Sequence, residues 1–261
     1  MTSVRISDGA VLALTRVETS PVMFLHGGAG TAALHWGRRM RQLPARYEPI
    51  GVDLRGHGAS TGDIVGANLD RIARDVTEAL TALGRPGGCH VVGFSMGACA
   101  ALRAAISNPC HFRSLTLVGA HGRLPAGMAR DSHQRFTQWA TAEGRGLARF
   151  HPGAPPWPEF IAALGEMEND IPAEALPTLL VPTLVVHGDR DEFVPARCAL
   201  DLFEALPDAE LAVLPAAGHL VQDDQKNLFD QVLSAFLDRV EAREGAPTDI
   251  PENTNKVRSK R

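Results

Sequence analysis

Eight short apolar runs, separated by stretches of helical periodicity, leave few architectures open to this chain. The runs cover residues 4–6, 11–17, 22–25, 50–53, 89–94, 115–118, 184–187 and 211–214. The first two flank an Asp8-Gly9 turn and read as a hairpin. The later runs are apolar throughout rather than alternating, as expected for strands buried on both faces. Between them, Leu69, Ile72, Val76, Leu80 and Leu83 recur at helical spacing, and Leu228, Val232, Phe236 and Leu237 mark a final helix. Residues 98–106 make a small-residue helix that can pack closely under a sheet. The expected class is α/β: a mainly parallel eight-stranded sheet flanked by helices.

The rhythm breaks over residues 121–177, where Phe136, Trp139, Phe150, Trp157 and Phe160 lie among prolines and glycines. A stretch this long between two strands, with apolar residues of its own, reads as a small helical cap. The expected organisation is a core of residues 1–120 and 178–242, a cap insertion at 121–177, and a disordered tail at 243–261. The tail carries the basic cluster Lys256 to Arg261 and reads as solvated.

Composition removes several function classes. The net charge is −4, so no global positive field draws nucleic acid or an anionic membrane. The N-terminal residues lack the basic start and apolar block of a signal peptide. No apolar run approaches the ~20 residues of a membrane span. Cys89, Cys99, Cys110 and Cys198 show no metal or redox spacing, and the first two read as reduced core thiols. The consistent expectation is a cytoplasmic protein acting on a small molecule, without metal or organic cofactor and of undefined oligomeric state.

The residues that carry chemistry begin with Gly93-Phe94-Ser95-Met96-Gly97, placed after a strand and before a helix. A serine on such a sharp turn sits in strained backbone, and flanking glycines avoid a Cβ clash. The rival reading is a glycine-rich turn with a capping serine. A serine hydroxyl needs a base. Among ten histidines, His219 lies in the loop after the last strand, on the same sheet edge as Ser95. His26 and His57 also fall in edge loops, but within glycine-rich turns that suit structural roles, and His187 ends its strand. The base in turn needs a carboxylate, which Asp189 or Asp191 supplies after the penultimate strand. The chain order Ser, Asp, His distinguishes this set from the other two common serine triads.

Taken together, the His26-Gly27-Gly28 turn, residues Asp53 to Ser60 (DLRGHGAS), the Ser95 turn, and Asp191 with His219 resemble the α/β-hydrolase fold superfamily. The likeness runs from about Val11 to Leu237 and is nearest to small capped esterases, C–C hydrolases and cofactor-free haloperoxidase-like members. It implies the α/β-hydrolase fold and selects Asp191, three residues before Val194-Pro195, over Asp189. It also implies an oxyanion hole from the backbone N–H groups of Gly28 and Met96. Phe94, Trp139 and Trp157 are the candidate substrate contacts, with packing inside the cap the equal alternative for the tryptophans.

The glycine-rich loop lacks the Gly-Lys-Ser/Thr and Gly-x-Gly-x-x-Gly patterns of nucleotide sites. Phe94 stands where ring-cleavage C–C hydrolases often carry Asn, and a serine nucleophile differs from the aspartate of dehalogenases and epoxide hydrolases. The expected activity is cleavage of a carboxylic ester or thioester with an apolar part, through an acyl-enzyme. Two other classes compete: a lyase, cyclase, acyltransferase or C–C hydrolase on the same triad, and a small-molecule receptor with weak hydrolase activity.

Overall fold

The computed structural model describes residues 2–5, 7–15, 20–85, 87–142, 144–167 and 170–245. Eight strands form one sheet: β1 (Thr2–Arg5), β2 (Val11–Thr15), β3 (Ser20–Leu25), β4 (Tyr47–Val52), β5 (Cys89–Phe94), β6 (Phe112–Val118), β7 (Thr183–Gly188) and β8 (Ala209–Leu214). Their spatial order is β1-β2-β4-β3-β5-β6-β7-β8. Strands β3 to β8 run parallel, while β1 and β2 pair antiparallel and join the sheet antiparallel to β4. Ile6, Arg16 and Val17, expected in the hairpin, lie outside the described residues, as does the basic end of the chain.

The continuous apolarity of the central strands has the anticipated cause. Along β3, Met23 and Leu25 enter one core while Val22 and Phe24 enter the other. The first core lies under α2 (Leu69–Leu83) and α3 (Met96–Ser107). The second is filled by Trp36 of α1 (Ala32–Gln42) and by Phe229, Leu233, Phe236, Leu237 and Val240 of α8 (Lys226–Gly245). Leu228, a sequence marker of that last helix, turns outward instead and is 41% exposed.

Local chemistry sets the helix ends. Asn68 Oδ1 accepts from the Arg71 amide at 2.9 Å to start α2, and Gly84 ends it in left-handed backbone. Helix α8 continues three residues past the point where the tail was expected to begin. Arg243 in its last turn bonds Asp208 Oδ2 at 2.8 Å, an anchor that apolar periodicity does not reveal.

Between β6 and β7 the chain forms α4 (Ala126–Ala142), a 3-10 turn (Gly144–Phe150), α5 (Trp157–Glu166) and a second 3-10 turn (Ala173–Thr178). Two further short helices, α6 (Arg197–Ala205) and α7 (Val221–Asp224), lie on either side of β8. No helix among the described residues is long and apolar enough to cross a membrane.

The topology also creates the place for a site. From β3 the chain moves outward to β4, then returns to the other side of β3 to form β5. The loops leaving β3 and β5 therefore diverge from neighbouring strands, and a crevice opens at their carboxyl ends.

Candidate active site

Ser95 sits at that crevice, between the end of β5 and the first residue of α3. Its backbone is at φ 50 and ψ −119, a region that a residue with a Cβ adopts at a cost of order 1–3 kcal/mol. The fold holds it there. The Ser95 amide donates to the Val118 carbonyl at 2.8 Å. A Cβ on Gly93 would lie 2.6 Å from the Ala98 Cα, and one on Gly97 would run into the His26 carbonyl oxygen. Both glycines are required by close approach of backbone, as the sequence pattern implied.

Three residues far apart in sequence meet here. The Ser95 hydroxyl lies 2.9 Å from His219 Nε2, and His219 Nδ1 lies 2.7 Å from Asp191 Oδ2. These partners define the imidazole tautomer: Nδ1–H donates to the carboxylate and Nε2 accepts from the hydroxyl. The Asp191 side chain is completely buried. Its Oδ1 accepts from the Phe193 and Val194 amides at 2.9 and 2.8 Å. Burial works to raise its pKa, but hydrogen bonds from His187 and His219 outweigh it and hold the carboxyl well below the ordinary range. Asp189, the other candidate, instead accepts from the Ala217 amide at 3.1 Å and shapes the loop before His219.

The remaining expected residues divide. Gly28, on the loop after β3, and Met96, the first residue of α3, both line one cavity of about 1000 Å³ together with Ser95 and His219. Neither amide has a hydrogen-bond partner among the described residues. Phe94 and Trp139 line the same cavity, and the Phe94 ring lies 4.9 Å from the His219 ring.

Trp157 does not line it. It stacks on Phe160 at 5.5 Å and on His151 at 6.1 Å, and its Nε1–H donates to the Ala140 carbonyl at 3.0 Å. Held among Ala140, His151 and Phe160, it faces neighbours of its own segment, so the expectation of a substrate contact is corrected to packing.

Several lining residues were not anticipated. Phe136 of α4 comes within 3.7 Å of where a Gly28 Cβ would stand, so α4 faces the loop after β3 directly. His121, just past β6, lines the cavity while 6% exposed, and burial pushes its pKa down to about 4. His187 at the end of β7 is fully buried 3.2 Å from Asp191 Oδ2 and also donates to the Val194 carbonyl at 2.8 Å. No short motif contains these residues; they are assembled by strand ends and by a segment with generic composition.

Comparison with known proteins agrees with this geometry at the level of family and fold. The chain is 27% identical over 247 residues, 85% of its length and 92% of the relative's, to a protein of Azorhizobium caulinodans named "Putative carbamate hydrolase RutD". It is 29% identical over 243 residues to the pimeloyl-[acyl-carrier protein] methyl ester esterase of Nitrosomonas europaea, covering 80% of this chain and 93% of that one. Its fold matches a thermophilic esterase from Thermogutta terrifontis with a TM-score of 0.76 at 24% identity, over 92% of this chain and 98% of that chain. A model described as the alpha/beta hydrolase family matches residues 22–231, and the chain belongs to that family as a hydrolase of the α/β type.

Proposed function

We propose that the protein is a serine hydrolase that cleaves a carboxylic ester or thioester through an acyl-enzyme, with Ser95, His219 and Asp191 as its catalytic triad. The observation that carries this reading is the continuous hydrogen-bonded chain from Ser95 Oγ through both His219 nitrogens to the buried Asp191 carboxylate. In the forward step His219 Nε2 takes the hydroxyl proton as Ser95 Oγ bonds to the substrate carbonyl carbon. The imidazolium stays paired with Asp191, whose depressed pKa keeps it ionised throughout. The oxyanion is met by the Gly28 and Met96 amides, with the N-terminal end of α3 adding a favourable field. His219 returns the proton to the departing alcohol or thiol. Water then repeats the sequence on the acyl-enzyme.

In this reading the segment between β6 and β7 acts as a cap, and Phe136, Trp139 and Leu164 give the acyl or alcohol part an apolar wall. The two relatives named above support the same chemistry. A carbamate and a methyl ester both present a carbonyl carbon bearing a heteroatom leaving group. Turnover of a p-nitrophenyl ester series from acetate to octanoate tests the proposal. The wild type is expected to turn over and show an acylation burst. Ser95→Ala is expected to lose on the order of 10³-fold or more. Undiminished turnover in Ser95→Ala would remove the nucleophile from the account.

A further inference from the structure

The loop that carries Gly28 is held by three imidazoles, and one of them comes from outside the neighbouring strand-end loops. The Gly27 amide donates to His35 Nδ1 at 3.1 Å. His26 Nδ1–H donates to the Gly27 carbonyl at 2.8 Å, while its Nε2 accepts from the Leu54 amide at 2.8 Å. His151 belongs to the segment between β6 and β7, yet its Nε2 lies 3.1 Å from the Ala29 carbonyl oxygen. Its Nδ1 accepts from the Gly58 amide at 3.0 Å. An N–H on one side and a carbonyl on the other fix His151 as the neutral Nε2–H tautomer. Burial lowers its pKa, in keeping with that form.

Ala29 is at φ 60, a conformation that a residue with a Cβ does not hold cheaply. Something outside the loop must stabilise it, and the His151 bond grips its carbonyl. The His151 ring is itself locked: His57 lies edge-on at 5.4 Å, Phe160 at 5.2 Å, and Trp157 is stacked behind it. The Gly27 N–H, Gly27 carbonyl and Ala29 carbonyl are all occupied, while the Gly28 amide between them has no partner among the described residues and Gly28 lines the cavity.

We propose that His151 is a positioning residue: by holding the Ala29 carbonyl from the cap it keeps the Gly28 amide aimed at the substrate oxyanion. The proposal rests on the acyl-enzyme reading above. It makes the cap a part of the oxyanion hole's framework as well as a wall of the cavity. A cap substitution can therefore change kcat without touching substrate.

Two amide substitutions separate the two bonds of His151 in the full-length enzyme. His151→Gln carries an amide nitrogen out to the position of Nε2 and retains the bond to Ala29. His151→Asn carries an oxygen to the position of Nδ1 and retains the bond to Gly58 alone. With p-nitrophenyl butyrate, His151→Asn is expected to lose roughly 10- to 100-fold in kcat with KM within about twofold, a part of the cost of deleting an oxyanion donor outright. His151→Gln is expected to recover most of the rate. An alkyl trifluoromethyl ketone, whose serine hemiketal carries the oxyanion, is expected to bind His151→Asn more weakly by a similar factor.

Equal kcat and equal inhibitor affinity in the two variants would overturn the proposal, as would a change confined to KM. Loss of turnover in Ser95→Ala alongside such equality means that His151 fails while the serine mechanism stands. Retained turnover in Ser95→Ala brings both down. If His151→Asn does not fold, the nitrogen NMR spectrum of the wild type still decides. An Nε2–H imidazole, assigned by its loss in His151→Gln, is the expected result, and an Nδ1–H imidazole contradicts the proposal.

Discussion

The strand-end loops and the segment between β6 and β7 face each other across one cavity, but their side chains are constrained in different ways. In the loops, backbone sterics leave almost no latitude: Ser95 is pinned in strained geometry between two glycines that no other residue can replace. In the segment, aromatic side chains of one kind take different roles. Trp139 lines the cavity, while Trp157, 18 positions along, packs inside against Phe160 and His151. The loops are expected to set the rate, whereas the segment sets shape and stability and reaches the rate only through the His151 bond to the Ala29 carbonyl.

The largest effect that would break this contrast is at the carboxylates. Asp191→Asn is expected to lose on the order of 10⁴-fold in kcat, because an amide no longer orients Nδ1–H or steadies the imidazolium. Asp189→Asn, one turn of loop away, is expected to keep most of its rate, since Asp189 holds the Ala217 amide rather than His219. Steady-state kinetics on the two variants distinguishes them, and similar losses in both would leave the assignment of the acid without support.

A smaller effect separates the tryptophans. Trp157→Ala is expected to cost about 2–3 kcal/mol in stability, read from denaturant unfolding, because the site loses a stacked ring and one hydrogen bond. Its ratio of octanoate to acetate turnover should stay near that of the wild type. Trp139→Ala is expected to shift that ratio by about 3- to 10-fold, the scale of one or two methylene contacts. Reversed outcomes would exchange the two roles.

A last effect, on stability alone, comes from the buried imidazoles. Burial pushes His26 from the ordinary value of 6.5 down to about 3. The unfolded chain therefore takes up this proton first as the pH falls. The stabilisation is complete above about pH 6.5 and is lost as the pH drops toward 3. Asp191, whose folded pKa is also depressed, adds its own loss only below its ordinary 3.8. Thermal melting is expected to be flat above neutrality and to decline between pH 6.5 and 4. A plateau across that window would contradict the neutral, buried state assigned to these histidines.

The same contrast explains what was legible from sequence. The strands, their order along the chain, the Ser95 turn and the place of His219 all follow from local rules: periodicity of apolar residues, glycine sterics and the edge rule for parallel sheets. Asp191 was separable from Asp189 through family likeness alone, because both sit in one short loop and their different partners become visible only once Ala217 and Val194 are placed. The contacts of His151 were beyond reach for a related reason. They join residues 93 and 122 positions apart across an aperiodic segment. Nothing in local composition distinguishes a histidine that clamps a loop from one that faces water. Trp157 was ambiguous in the same way.

The central claim is that Ser95 is the nucleophile activated by His219. Intact-protein mass after exposure to a fluorophosphonate, with the modified peptide mapped, tests it most directly. One covalent adduct on the Ser95 peptide is expected, absent in Ser95→Ala and formed far more slowly in His219→Gln. An adduct on another residue, or labelling of His219→Gln at the wild-type rate, would contradict the account.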